Sequence, residues 1–131
     1  MKIWFFLLIL LITSCAANLQ DIRTSNPAYI TTSFKQPKEV ANCIAFEAQN
    51  EHELSGFLIS TNENNGIYYV SRSFPGVLGV MYLEEVTVKP NKDKGSIIEL
   101  RSTPHAISDF FQKLFIKIIN KCTSHKATNQ E

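Results

Sequence analysis

Three cysteines, three histidines and a group of carboxylates are the side chains in this 131-residue chain with the means to do chemistry. Cys122-Thr123-Ser124-His125 has C-x-x-H spacing. Structural zinc wants four ligands, however, and only Cys43, Cys122 and His125 are on offer. His52, His105 and His125 fall in a helix exit, a helix first turn and a tail, none with a serine or cysteine nucleophile and an acid in the arrangement of a triad. Glu84 and Glu85 are neighbours in an expected strand, so they point to opposite faces and cannot cooperate as an acid–base pair. Glu85 and Glu99 can lie across from each other with Arg101 nearby, the pattern of a surface charge cluster. No glycine-rich phosphate loop is present, and Gly95-Ser96 reads as a turn feeding a strand. The sequence therefore points to no catalytic residue, no cofactor and no metal, and to a protein that is not an enzyme.

The remaining cysteine, Cys15, closes a distinctive leader. Lys2 is followed by an apolar run from Ile3 to Ile12, whose ten helical residues would reach only about half of a hydrocarbon core of roughly 30 Å. A charged start, a short apolar centre and small residues after it are the layout of a secretory signal. Ile12-Thr13-Ser14-Cys15 resembles the lipobox of bacterial lipoproteins: a branched apolar residue, two small residues and a cysteine. That resemblance covers the first fifteen residues. It implies a diacylglycerol thioether on Cys15, cleavage before it, and a fatty acid such as palmitate on the new amino group. Ordinary cleavage after Ala17 and an uncleaved anchor are the alternatives. The rest of the chain is similar only in a general way to small bacterial lipoproteins of undefined function.

Cysteine count bears on the choice. Three is an awkward number for an exported protein, and lipid on Cys15 would leave an even pair for an oxidising compartment. Cleavage after Ala17 would leave the same pair, so the count disfavours only the uncleaved anchor. Loss of residues 1–14 from 131 leaves 117, enough for one domain. The chain's formal charge is +1, and loss of Lys2 leaves 12 basic against 12 acidic residues. No polybasic footprint for nucleic acid or anionic lipid is present, so the membrane would be held through acyl chains on Cys15. Ala16 after the cysteine, rather than aspartate, resembles the sorting preference for the periplasmic face of an outer membrane, where an envelope has two membranes.

The elements that position these residues follow from periodicity. Residues 15–33 are polar and turn-rich and read as a lipidated tether, with Tyr29 to Thr32 β-branched enough to add an edge strand instead. Residues 34–123 read as a single α+β domain, and residues 124–131 as a polar tail. Pro37 at the first position, Glu39 in the first turn and the stripe Val40, Cys43, Ile44, Ala48 predict a helix over 37–50. Four strands are expected over 56–60, 67–72, 80–88 and 96–101, with Asn65-Gly66 a turn signal. Thr103 and Pro104 open a last helix whose stripe is Ile107, Phe110, Phe111, Leu114, Ile118 and Cys122. The expected architecture is α-β-β-β-β-α, a four-stranded antiparallel meander with both helices on one face. That brings Cys43 and Cys122 together as a disulfide.

Alternation places Val80, Tyr82, Val86 and Val88 on the core side, opposed by Ile98 and Leu100. Glu84 falls among them. Either it is an acid–base or ligand-gripping group in a pocket, or a β-bulge or the sheet margin lets it reach water; the second reading is preferred. Tyr68, Met81 and Leu83 are a candidate partner surface on the open face. Two functions are in view. One is a non-enzymatic envelope lipoprotein that binds a protein partner or serves as an accessory. The other is a small hydrolase or ligand carrier with a pocket between sheet and helices, using Glu84 or His105.

Overall fold

A computed structural model of the protein describes residues 19–103 and 109–124. The described elements are α1 (Leu19–Thr24), β1 (Tyr29–Ser33), α2 (Pro37–Asn50), a 3-10 turn (His52–Leu54), β2 (Leu58–Asn64), β3 (Ile67–Gly76), β4 (Gly79–Pro90), β5 (Ser96–Ser102) and α3 (Asp109–Thr123). The class is α+β, with a five-stranded antiparallel sheet in the order β1-β5-β4-β3-β2. Strands β2 to β5 are the expected meander. The expected count of four is corrected by β1, which pairs with β5 from Tyr29 opposite Leu100 to Ser33 opposite Ser96.

Residues 19–33, expected as part of a tether, fold as α1 and β1. Helix α1 packs against β4 and β5, on the face away from α2 and α3, and buries Ile22 completely. Six residues with one buried apolar side chain carry no helical period to read. What fixes α1 is tertiary: Arg101 Nε donates to the Ser25 carbonyl at 3.0 Å, and Ala28 N–H donates to Leu100 O at 2.8 Å.

Helix α2 matches its expected bounds. Gln36 precedes it in extended backbone, Pro37 fills the first turn where no N–H partner is needed, and Val40, Ala41, Ile44, Ala45 and Ala48 are buried. Helix α3 buries Leu114, Phe115, Ile118, Ile119 and Cys122. Its stripe is therefore turned from the expected one, and Phe110 is half exposed. The expected helix start at Pro104 and the positions of His105 and Ile107 lie outside the described residues, as does His125. Thr103 donates its N–H to Leu83 O at 2.9 Å, tying the end of β5 back to β4. The two helices cover a sheet face of Val70, Val86, Val88, Ile98 and Leu100, all fully buried. Each such side chain contributes roughly 1.5–3 kcal/mol on removal from water. Cys43 and Cys122 form a disulfide across the helix pair with Cα atoms 5.7 Å apart.

The expected core set of Val80, Tyr82, Val86 and Val88 is split by a bulge. Arg72 pairs with Glu84, but Ser73 pairs with Tyr82, leaving Leu83 as an extra residue in β4. One inserted residue reverses the facing of everything beyond it. Val86 and Val88 stay in the core, whereas Tyr82 and Val80 turn to the second face opposite Ser73 and Pro75.

Gly95 closes the β4–β5 turn at φ +81°, and a Cβ there would lie 2.0 Å from the Ser33 carbonyl oxygen. Gly95→Ala should therefore destabilise the domain by about 1–3 kcal/mol from backbone strain alone, with displacement of β1 in addition. Urea unfolding checks this, and an unchanged midpoint would contradict the close approach.

Candidate functional site

The chemistry-bearing side chains gather at the centre of β3 and β4, where adjacent Glu84 and Glu85 look into opposite faces. Glu84 is 1% exposed. Its two oxygens are held by Arg72, Nε at 2.5 Å and Nη2 at 2.7 Å. The Arg72 guanidinium lies between two rings, 4.2 Å from the centroid of Phe57 and 4.0 Å from that of Phe111. The bulge foreseen as Glu84's route to water is present, yet the route is not: Glu84 is buried and paired. Bidentate geometry and aromatic faces offset part of the loss of hydration that makes buried charge expensive, while Arg72 Nη1 is buried without a hydrogen-bond partner. Proton exchange with a substrate would require breaking this pair, so Glu84 is built as a lock and not as an acid–base group.

Glu85 is fully buried beneath α1. Arg23 reaches it with Nε at 2.8 Å and Nη2 at 3.0 Å, and Ser71 Oγ donates at 3.1 Å. The Glu85 hydrogen bond raises the Arg23 guanidinium above its ordinary value, and the same guanidinium lies 4.1 Å over the Tyr69 ring. Glu99 binds Arg101 at 2.6 Å and Lys89 at 2.7 Å. Burial pushes the Glu99 carboxyl up, but hydrogen bonds from Lys89 and Arg101 prevail and hold it below the usual range. The expected surface charge cluster of Glu85, Glu99 and Arg101 is thus a covered network, because α1 and the chain after it roof this face.

The expected partner surface does not form as one patch. Tyr68 pairs with Val88 and packs against the core on the helix side. Leu83 is the bulged residue, and Met81 lies further out, opposite Phe74, partly exposed. A cleft of about 310 Å³ opens between α2 and the β2–β3 hairpin, lined by Asn42, Thr61, Asn62, Glu63 and Tyr68 among others. Glu63 is the one carboxylate of its lining and accepts from Gly66 N–H at 2.8 Å. The cleft offers hydrogen bonds to a small polar ligand, with Glu63 and the phenols of Tyr68 and Tyr69 as its titratable groups.

Arg72 and Arg23 went unassigned in the sequence. Arg72 sat at the end of a recognised strand, and pairing it with Glu84 needed the bulge register. Arg23 sat in the supposed tether. Among the described residues no group of three His, Cys, Asp or Glu side chains could hold a metal ion, and no helix is long and apolar enough to cross a membrane. Compared with known proteins, the chain matches no family model and no curated sequence at a significant level.

Proposed function

We propose that the protein is a membrane-anchored envelope lipoprotein, whose small disulfide-stapled domain is a non-enzymatic binding or accessory component held on the lipid of Cys15. The observation that carries this reading is the division of its cysteines. Cys43 and Cys122 are bonded to each other, so Cys15, at the end of Ile12-Thr13-Ser14-Cys15, is the thiol left for acylation. An intramolecular disulfide also suits an exported chain. In a two-membrane envelope the periplasmic face of the outer membrane is the favoured location, and an envelope protein the favoured partner. The non-enzymatic part is supported by the fate of Glu84 and Glu85, each neutralised by an arginine. A small-ligand carrier is the second reading, favoured by the cleft beside α2.

Cys15→Ser tests the anchor. Incorporation of labelled palmitate should be lost entirely, and the protein should leave the membrane fraction or accumulate with its leader attached. Unchanged labelling and partitioning would refute it. Affinity capture of the tagged lipidated protein from its own envelope in mild detergent tests the binding role, where recovery of no partner counts against it.

A further inference from the structure

The two ends of the sheet differ in kind. At one end lie the β2–β3 turn and the β4–β5 turn, the latter carrying Lys92, Asp93 and Lys94. At the other end only β3 and β4 continue. β2 pairs with β3 as far as Leu58 opposite Ser73, and β5 pairs with β4 as far as Ser102 opposite Glu84. Beyond them Phe74–Met81, Pro75–Val80 and Gly76–Gly79 form a two-stranded ribbon closed by Val77 and Leu78. No residue from Ser73 to Leu83 is charged. Val77 is fully exposed, Leu78 is 84% exposed, and Phe74, Val80, Leu58 and Phe110 add exposed apolar surface at the same end. Gly79, at φ +124°, and Gly76, where a Cβ would meet the Gly79 oxygen at 3.0 Å, let the ribbon close tightly. Such a projection is marginal in water by itself, and an apolar patch of this kind marks an interaction site.

We propose that the β3–β4 tip enters the lipid bilayer to which Cys15 ties the chain, so that the domain is held at two points. This rests on the lipoprotein reading above. The described chain begins at Leu19, four residues after Cys15, so extended backbone between them spans at most about 14 Å. Arg23, one turn into α1, is hydrogen-bonded to Glu85 near the middle of β4. From Glu85 to Leu78 is seven residues, one of them the bulged Leu83, about 20 Å along a strand. Helix α1 thus lies midway along β4, and so short a linker keeps both ends of the sheet within about a strand length of the bilayer. The uncharged tip is the end that hydrocarbon accepts, whereas the other carries Lys92, Asp93 and Lys94. Tyr82 stands at the base of the tip, where an aromatic ring with a polar end suits the headgroup level. Shape favours lipid as occupant. Acyl chains close around a convex tip of any form, whereas a second copy would have to receive it in a matching concavity, and the cleft beside α2 is lined by asparagines, Thr61 and Glu63.

Trp4 is the sole tryptophan and precedes Cys15, so Leu78→Trp gives the processed protein a single indole on an exposed residue. The lipidated variant, reconstituted in phosphatidylcholine vesicles with or without brominated acyl chains, should show blue-shifted emission that the bromines quench. That corresponds to an indole about 5–10 Å into the headgroup–acyl boundary. Lys92→Trp, at the opposite end, should emit as in water and stay unquenched. Water-like emission from Leu78→Trp on protein that floats with the vesicles would overturn the tip while leaving the anchor standing. Failure to float would refute the anchor and the tip with it. Blue-shifted emission that bromines do not quench would assign the tip to a protein contact and overturn bilayer insertion.

Discussion

Arg72→Ala is expected to destabilise the domain by roughly 3–5 kcal/mol, because it leaves the Glu84 carboxylate buried without its partner. The side chains of Arg72 and Glu84 are 2% and 1% exposed, so water cannot take over the lost hydrogen bonds. Removal of the guanidinium also empties the slot between Phe57 and Phe111, forfeiting two cation–π contacts. The comparison with Arg72→Met combined with Glu84→Leu separates these causes. If the cost is the orphaned charge, the double variant should recover most of the stability, since apolar residues of similar volume often replace a buried pair without loss. Urea unfolding of the three proteins decides it. A loss below about 1 kcal/mol for Arg72→Ala would mean that Glu84 finds water after all, and would reopen its case as a titrating group.

Loss of the disulfide should rival that effect. Cys43 and Cys122 are 79 positions apart, and in the chain-entropy model a loop of that length contributes up to about 4.5 kcal/mol by restricting the unfolded chain. Against a usual domain stability of about 5–15 kcal/mol this is a large share. Alanine is the suitable replacement at both sites, because Cys122 is fully buried among apolar neighbours and serine would bury an extra hydroxyl. Cys43→Ala with Cys122→Ala should lower the urea midpoint markedly and make it insensitive to reductant. A double variant within about 1 kcal/mol of the parent would show that packing between α2 and α3 holds the ends without the bond.

These two interactions differ in how far the sequence disclosed them. Cys43 and Cys122 each continue an apolar stripe at helical spacing, so their meeting followed from the periods of α2 and α3 once both helices were laid on one sheet face. Helix α2 was legible to its ends because Pro37 and Glu39 mark its start and its stripe is unbroken. The Arg72–Glu84 pair was not legible. Period-2 alternation assumes equal counts on both strands, and the residue inserted at Leu83 is invisible to it. The same bulge misplaced Tyr82 and Val80, which alternation put in the core, and the ribbon from Phe74 to Met81 was hidden because strands expected over 67–72 and 80–88 leave Ser73 to Gly79 as a connection. Helix α1 failed for a different reason: one buried isoleucine and one arginine reaching Glu85 are tertiary signals with no local period. A cover on the second sheet face was therefore missed, and with it the burial of Glu85 and Glu99.

Attachment of the domain to a membrane through Cys15 can be read from the intact mass of the protein recovered from its own envelope. The expected chain begins at Cys15, carries the added mass of a diacylglycerol group and a fatty acid, and lacks the two hydrogens lost in forming the Cys43–Cys122 bond. A full-length mass, or an unmodified chain beginning after Ala17, would contradict it.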